Sequence, residues 1–140
     1  MRKLIDIVQT GHEPLTLPPA ARVQDACKEM SDRHVDTVLV TDELGSLLGI
    51  FTKGDAVNRV LAGGKSAAEL TLGEVMTGDP ITMSADKTAI EALRPMWDGG
   101  FRHVPVTKGG KVIGCVSRAD FQGDERETHE HERGLWEHMR

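Results

Sequence analysis

The sequence predicts an α+β fold built from two copies of one β-α-β-β-α unit. Three observations lead there: a long internal repeat, a helix-period apolar stripe in each copy, and a pair of strand-like runs around a turn in each copy. Residues 15–55 recur as residues 81–120. Leu15-Thr16-Leu17 aligns with Ile81-Thr82-Met83, and at a constant offset of 66 Ala26 falls on Ala92, Met30 on Met96, Val38 on Val104, Val40 on Val106 and Thr41 on Thr107. One residue is then lost, and at offset 65 Gly49 falls on Gly114, Thr52 on Ser117 and Asp55 on Asp120. Two copies at this period do not make a solenoid, whose repeats run about 20–50 residues. A unit of about 60 residues buries only about 60% of its unfolded surface and is marginal alone. The expectation is two pseudo-symmetric units packed through their sheets, each completing the other's core, in one globular domain of 140 residues.

The elements follow in order. A short extended piece opens each copy, at Leu15–Leu17 and Ile81–Met83. Val23, Ala26, Cys27 and Met30 then stand at i, i+3, i+4, i+7, and Ala89, Ala92, Leu93 and Met96 repeat the spacing, so each copy has an amphipathic helix with one buried face. Thr88 and Glu91 form a capping box at the start of the second helix. Pro95 removes a backbone donor and should kink or shorten its last turn, and Gly99-Gly100 ends it. Thr37–Thr41 and Leu47–Phe51 read as strands around an Asp42–Ser46 turn; His103–Thr107 and Val112–Val116 match them around Lys108-Gly109-Gly110-Lys111. Pro105 suggests an edge or a strand end. A helix of about two turns follows the first hairpin, from near Asp55 to Leu61.

These elements give the boundaries: residues 1–62 for the first repeat with its N-terminal segment, 63–78 for a linker, 79–122 for the second repeat, and 123–140 for a charged helical tail. In the linker, Ser66/Glu69 and Thr71/Glu74 have capping-box spacing and predict short helical turns. In the tail, Leu135, Trp136 and Met139 share one helical face, suited to docking on this domain or a second subunit.

Composition narrows the function classes. The net charge of −5 argues against a general nucleic-acid or acidic-membrane surface, which wants a basic face. With 39% hydrophobic and 28% charged residues the chain resembles an ordinary soluble protein. It has no apolar run long enough to span a bilayer, and Asp6 and Gln9 break any signal-peptide core. Cys27 and Cys115 occupy apolar positions of different elements and read as core thiols of a reducing cytosol, neither a disulfide nor a metal pair. The expected location is the cytoplasm.

Each copy ends its hairpin with one signature, Gly49-Ile50-Phe51-Thr52-Lys53-Gly54-Asp55 and Gly114-Cys115-Val116-Ser117-Arg118-Ala119-Asp120. A strand runs into a helix N-terminus, where backbone N–H groups favour phosphate. The hydroxyl at the junction caps the helix, and a carboxylate three residues on can accept hydrogen bonds from two vicinal hydroxyls, as on a ribose. The alternative is that both pairs are helix caps and nothing more.

The two signatures, the approach Val75-Met76-Thr77-Gly78-Asp79-Pro80-Ile81-Thr82 and the segment Gly100-Phe101-Arg102-His103-Val104-Pro105-Val106 together resemble a tandem CBS domain pair, or Bateman module, over roughly residues 10–122. The resemblance implies two clefts between the repeats that hold adenosine-containing ligands: AMP, ADP, ATP, S-adenosylmethionine or NAD. It implies that Asp55 and Asp120 hold ribose hydroxyls, that Thr52 and Ser117 lie by ribose or phosphate, and that Thr16-Leu17 and Thr82-Met83 line the adenine. Arg102 and His103 match phosphate-contacting positions, and Pro105 of the same segment belongs to the ligand-binding set. Pairing of modules into a flat disc implies a homodimer. Arg102-His103 corresponds to Asp36-Thr37 in the first copy, where a carboxylate would repel a polyanion. One cleft would then take a nucleotide and the other stay empty or take a less charged ligand, unless Asp36 simply faces solvent.

Other signals are weaker. Gly64-Lys65-Ser66 echoes a P-loop ending, but Arg59 stands where its first glycine belongs. The i, i+2 pair His129 and His131 lies on different helix faces, and His12, His34 and His103 have no ligand spacing, so no metal site is expected. Trp97 and Phe101 read as core or as a dimer patch. No side chain is placed as an activated nucleophile and no carboxylate pair stands out, so the chain does not read as an enzyme. The leading expectation is a stand-alone regulatory module that senses an adenosine compound and signals to an unknown effector protein by changing shape or surface. The alternatives are a ligand-free dimerisation scaffold and, with poor charge support, a binder of single-stranded nucleic acid.

Overall fold

Two separate sheets carry the two copies, and the fold is α+β as predicted. The computed structural model describes residues 2–10, 13–98 and 102–121. The described residues form two units: Glu13–Ile81 with the hairpin tip Gly109–Val112, and the N-terminal segment with Thr82–Lys108 and the stretch 113–121.

In the first unit, β1 (Leu15–Leu17) pairs in parallel with β2 (Thr37–Thr41), β2 antiparallel with β3 (Leu47–Thr52), and β3 with β4 (Thr77–Gly78). A register shift between Val40 and Thr41 accommodates one extra residue on β3, and Asp42 Oδ1 accepts from the Leu44 and Ser46 N–H groups to close the turn, both at 2.9 Å. Between β1 and β2 runs α2 (Val23–Arg33), after α1 (Leu4–Thr10) of the N-terminal segment. Val23, Ala26 and Met30 of α2 are buried as the spacing predicts; Cys27 is half-buried. The left-handed His34 (φ 56°) closes this helix. After β3 the chain turns through α3 (Lys53–Asp55) into a π-helical segment, Ala56–Leu61, with Val60 buried.

Residues 63–78, a linker by sequence, belong to the first unit. Thr71 and Glu74 form the expected capping box at the head of α4 (Leu72–Val75), and Leu72 and Val75 lie in the core with Val38, Val40 and Phe51. Ser66/Glu69 makes only a turn.

The second unit has β5 (Met83–Ser84) parallel to β6 (His103–Lys108), and β7 (Lys111–Ser117) beside β6. Gly109 and Gly110 turn β6 into β7 with φ of 61° and 80°, the two positive values of a type I′ turn. The α5 helix (Ala89–Asp98) carries the Thr88/Glu91 capping box and buries Ala89, Ala92, Leu93 and Met96. Pro95 does not stop it; the helix runs three residues further, to Asp98. Gly99, Gly100 and Phe101 lie outside the described residues, as do His12 and the tail with Leu135, Trp136, Met139, His129 and His131.

Pro105 is a correction. The sequence puts it at an edge or strand end, but it sits buried inside β6, the middle strand of three. Its missing N–H explains a second difference. In the first copy Thr16 pairs with Leu39, the counterpart of Pro105. In the second copy that rung and the one before it are lost, and β5 begins two residues later, pairing only Met83 with Val106 and Ser84 with Thr107. Ile81 and Thr82 therefore fall outside the strand.

The N-terminal segment also departs from the sequence boundaries. Leu4 and Ile7 of α1 lie in the core of the second unit with Ala92, Val104 and Val116. The Ala89 N–H donates to the Arg2 carbonyl at 2.9 Å, so this segment satisfies an open donor at the start of α5. The α4 segment has the same relation to the first copy: the Val23 N–H donates to the Leu70 carbonyl at 3.0 Å. The helix that precedes each repeat in the chain thus covers the other repeat.

Candidate functional site

The two signatures occupy equivalent strand-to-helix junctions. Thr52 ends β3, and its N–H donates to Asp55 Oδ2 at 2.9 Å while its hydroxyl accepts from the Asp55 N–H at 3.3 Å. Ser117 ends β7; its N–H donates to Asp120 Oδ2 at 2.6 Å, and its hydroxyl lies 3.2 Å from the same oxygen. Both are capping boxes. The helix-cap reading of these residues is therefore right as far as it goes. It does not exhaust the carboxylates, because each box occupies one oxygen, Oδ2. The other oxygen of Asp55 faces Arg59, whose Nε stands 3.6 Å from Oδ1.

The junctions share a further bond that the sequence did not announce. The Lys53 N–H donates to the Asp36 carbonyl at 3.0 Å, and the Arg118 N–H donates to the Arg102 carbonyl at 3.2 Å. Each signature is thus tied to the residue before β2 or β6. In the first copy this brings Thr52 and Asp55 beside Thr37, which pairs in register with Thr52; on the other side of β2 lies β1, where Thr16 is exposed and Leu17 half-buried. Thr37 Oγ1 is buried and has no hydrogen-bond partner among the described residues. In the second copy the bond ties the signature to Arg102, which is exposed, next to half-buried His103; Thr82 is exposed, while Met83 and Pro105 are buried.

Three cations shape these junctions without having been singled out by sequence. Lys53 Nζ pairs with Asp36 Oδ1 at 2.9 Å, so Asp36 is exposed yet not alone. Arg59 Nη1 donates to the Val75 and Met76 carbonyls at 3.0 and 3.2 Å, fastening the π-helical segment to α4. Arg2 Nη2 donates to the Asp120 carbonyl at 3.1 Å, so the N-terminal segment holds the second signature from behind. The i, i+4 spacing of Asp55 and Arg59 was the one readable signal among them. Among the described residues no cluster of three His, Cys, Asp or Glu side chains could hold a metal ion, and no helix is long and apolar enough to cross a membrane.

The CBS domain profile matches residues 5–62 and 72–122, one match for each copy. The chain belongs to the CBS domain family. The CBS domain-containing protein CBSCBSPB3 of Arabidopsis thaliana is 43% identical over 102 residues, which cover 73% of this CBS pair and 18% of the plant protein. The pair thus spans about a fifth of the length of that relative. Among solved structures, the CBS-domain containing protein ATU1752 from Agrobacterium tumefaciens is 28% identical with a TM-score of 0.75, covering 84% of this chain and 94% of its own. The CBS domain pair of protein MJ0100, solved with 5′-methylthioadenosine and S-adenosyl-L-methionine, is 26% identical with a TM-score of 0.76, covering 86% and 92%.

Proposed function

We propose that this CBS pair is a regulatory module that binds adenosine-containing ligands and signals their presence to a partner protein. The observation that carries the reading is the junction built twice: hydroxyl, carboxylate and helix start held in one geometry by Thr52/Asp55 and Ser117/Asp120. In this reading Asp55 and Asp120 accept from the ribose hydroxyls through the oxygen outside the capping box, which in Asp55 also faces Arg59. Thr52 and Ser117 lie by the ribose or phosphate. Thr16 and Leu17, and Thr82 with Met83 and Pro105, flank the adenine, while Arg102 and His103 face the phosphate. The Thr37 hydroxyl beside Thr52 is a buried donor that a bound ligand would satisfy. The adenosyl ligands named for protein MJ0100 support the ligand class. AMP, ADP, ATP, S-adenosylmethionine and NAD all present the same ribose diol, so the junction alone does not rank them.

Signalling requires a ligand that binds one arrangement of the module more tightly than another. Val57 and Leu61, 54% and 68% exposed at i, i+4 on one face of the π-helical segment, suit pairing with a second copy. A scaffold that pairs through this face and binds no nucleotide is the competing reading.

A thermal-shift series with adenosine, AMP, ADP, ATP, S-adenosylmethionine, NAD and GTP tests the two. A ligand at about 100 times its Kd adds about 2.7 kcal/mol, a shift of several degrees. A shift with adenine compounds that Asp55→Asn and Asp120→Asn together abolish supports the sensor. The absence of any shift in protein freed of co-purified ligand leaves the scaffold.

A further inference from the structure

The two copies carry different charge sets at one place in the repeat. In the first, Asp36 precedes β2 and Lys53 opens α3; their backbones are bonded at 3.0 Å and their side chains pair at 2.9 Å. In the second, the same backbone bond joins Arg102 and Arg118, and both side chains are cationic. Arg118 turns the other way: Nη2 donates to the Met96 carbonyl at 2.9 Å and the guanidinium lies 5.2 Å from the Trp97 ring centroid. At the offset of 66 the first copy has Ser31 in place of Trp97 and offers no ring. Arg118 is thus held on α5, whereas Lys53, with no ring on α2, is held by the acid at position 36. With Arg118 so engaged, position 102 has no need of an acid and carries a second cation.

The Asp36–Lys53 pair is a surface pair, with side chains 61% and 60% exposed. Pairs of that exposure contribute little, so fold stability is a poor reason for an acid here. Its consequence is electrostatic: at the first junction Lys53 is paired with Asp36 and Arg59 with Asp55, where the second junction presents Arg102.

We infer that Asp36 is a specificity-determining residue, which holds Lys53 away from a phosphate and makes the first repeat select a neutral or cationic adenosine compound, while the second repeat takes the phosphate-bearing one. The inference rests on the adenosine-binding reading above and assigns a different ligand charge to each repeat.

Calorimetric titration with adenosine and AMP tests it, using Asp120→Asn to leave the first site and Asp55→Asn to leave the second. In the Asp120→Asn protein adenosine should bind and AMP bind about tenfold more weakly or worse; in the Asp55→Asn protein the preference should reverse. Adding Asp36→Arg to Asp120→Asn should raise AMP affinity about tenfold, less at high salt, and leave adenosine unchanged. Asp36→Asn should move AMP the same way by less. AMP binding as tight as adenosine in the Asp120→Asn protein, no adenosine binding there, or AMP affinity indifferent to both changes at position 36 overturns the assignment. Failure of the wild-type protein to bind either compound overturns the adenosine reading itself, and this assignment with it.

Discussion

Met76 closes over Gly49 so tightly that a Cβ at residue 49 would meet its side chain and stand 2.7 Å from the Thr77 carbonyl oxygen. The equivalent Gly114 faces Val8, whose Cγ1 would lie 2.5 Å from such a Cβ. Neither glycine has a positive φ, so close approach, not backbone freedom, requires them. The neighbours differ in how far they can give. Thr77 is backbone fixed in β4, while Val8 is a β-branched side chain on α1 that gives only if this short helix shifts. Gly49→Ala should therefore destabilise by about 1–3 kcal/mol. Gly114→Ala should cost less, because a small shift of the seven-residue α1 relieves its clash, whereas β4 is bonded to β3. Urea unfolding of the two variants checks this; equal losses would contradict the packing of β4 on β3.

The capping boxes mean that each signature carboxylate has a structural task as well as its proposed one. Asp55→Ala removes the acceptor for the Thr52 N–H and should cost about 0.5–2 kcal/mol. Asp55→Asn keeps an acceptor there and should cost less. Under the adenosine reading both variants lose binding at the first site equally. A melting comparison with and without ligand separates the two effects: binding that survives Asp55→Asn while falling in Asp55→Ala would assign the residue to the cap alone.

Periodicity and repetition made most of this fold readable. The stripes on α2 and α5, the hairpins, and the Thr88/Glu91 and Thr71/Glu74 boxes are local patterns, fixed by residues a few positions apart. The reciprocal Thr52/Asp55 and Ser117/Asp120 pairs were legible because they occur twice. What the sequence could not display are relations over long separations. Leu4 and Ile7 lie in the core of the second copy, and Leu72 and Val75 in that of the first, because each copy leaves an apolar face open for the helix that reaches it. Pro105 was misjudged for a related reason: β5 begins only after the position opposite the missing donor, a fact that depends on a strand some twenty residues away. The Lys53–Asp36 pair was hidden because its spacing has no helical or strand period and is set by the register of β2 on β3.

The α5 cap gives an acid-sensitive handle. The backbone N–H of Thr88, then its hydroxyl, hold the Glu91 carboxyl below its ordinary value, with Lys87 adding a smaller effect in the same direction. A carboxyl lowered in the folded state favours folding above its unfolded value of about 4.3, and that contribution is lost as pH falls from there through the folded value. Glu91→Gln should therefore flatten the fall in melting temperature below about pH 4.3 while changing little at neutral pH. An acid limb that is just as steep in the variant would assign the loss to other carboxylates.

Cys115 should be the slower of the two thiols to react. Burial pushes its thiol up to about 12, the Asp120 carboxylate adding to the rise, while burial raises Cys27 as well. Thiolate is the reactive form, so at pH 8 Cys115 is almost wholly protonated and reacts slowly. Labelling with an aromatic disulfide reagent should show Cys27 reacting first in the native protein and both reacting rapidly in denaturant. A thiol raised by folding contributes stability that is full below about pH 8.5 and declines as pH climbs towards the folded value. Cys115→Ala should accordingly soften the alkaline loss above about pH 8.5. Equal native reactivity of Cys27 and Cys115 would show that β7 opens far more readily than its packing implies.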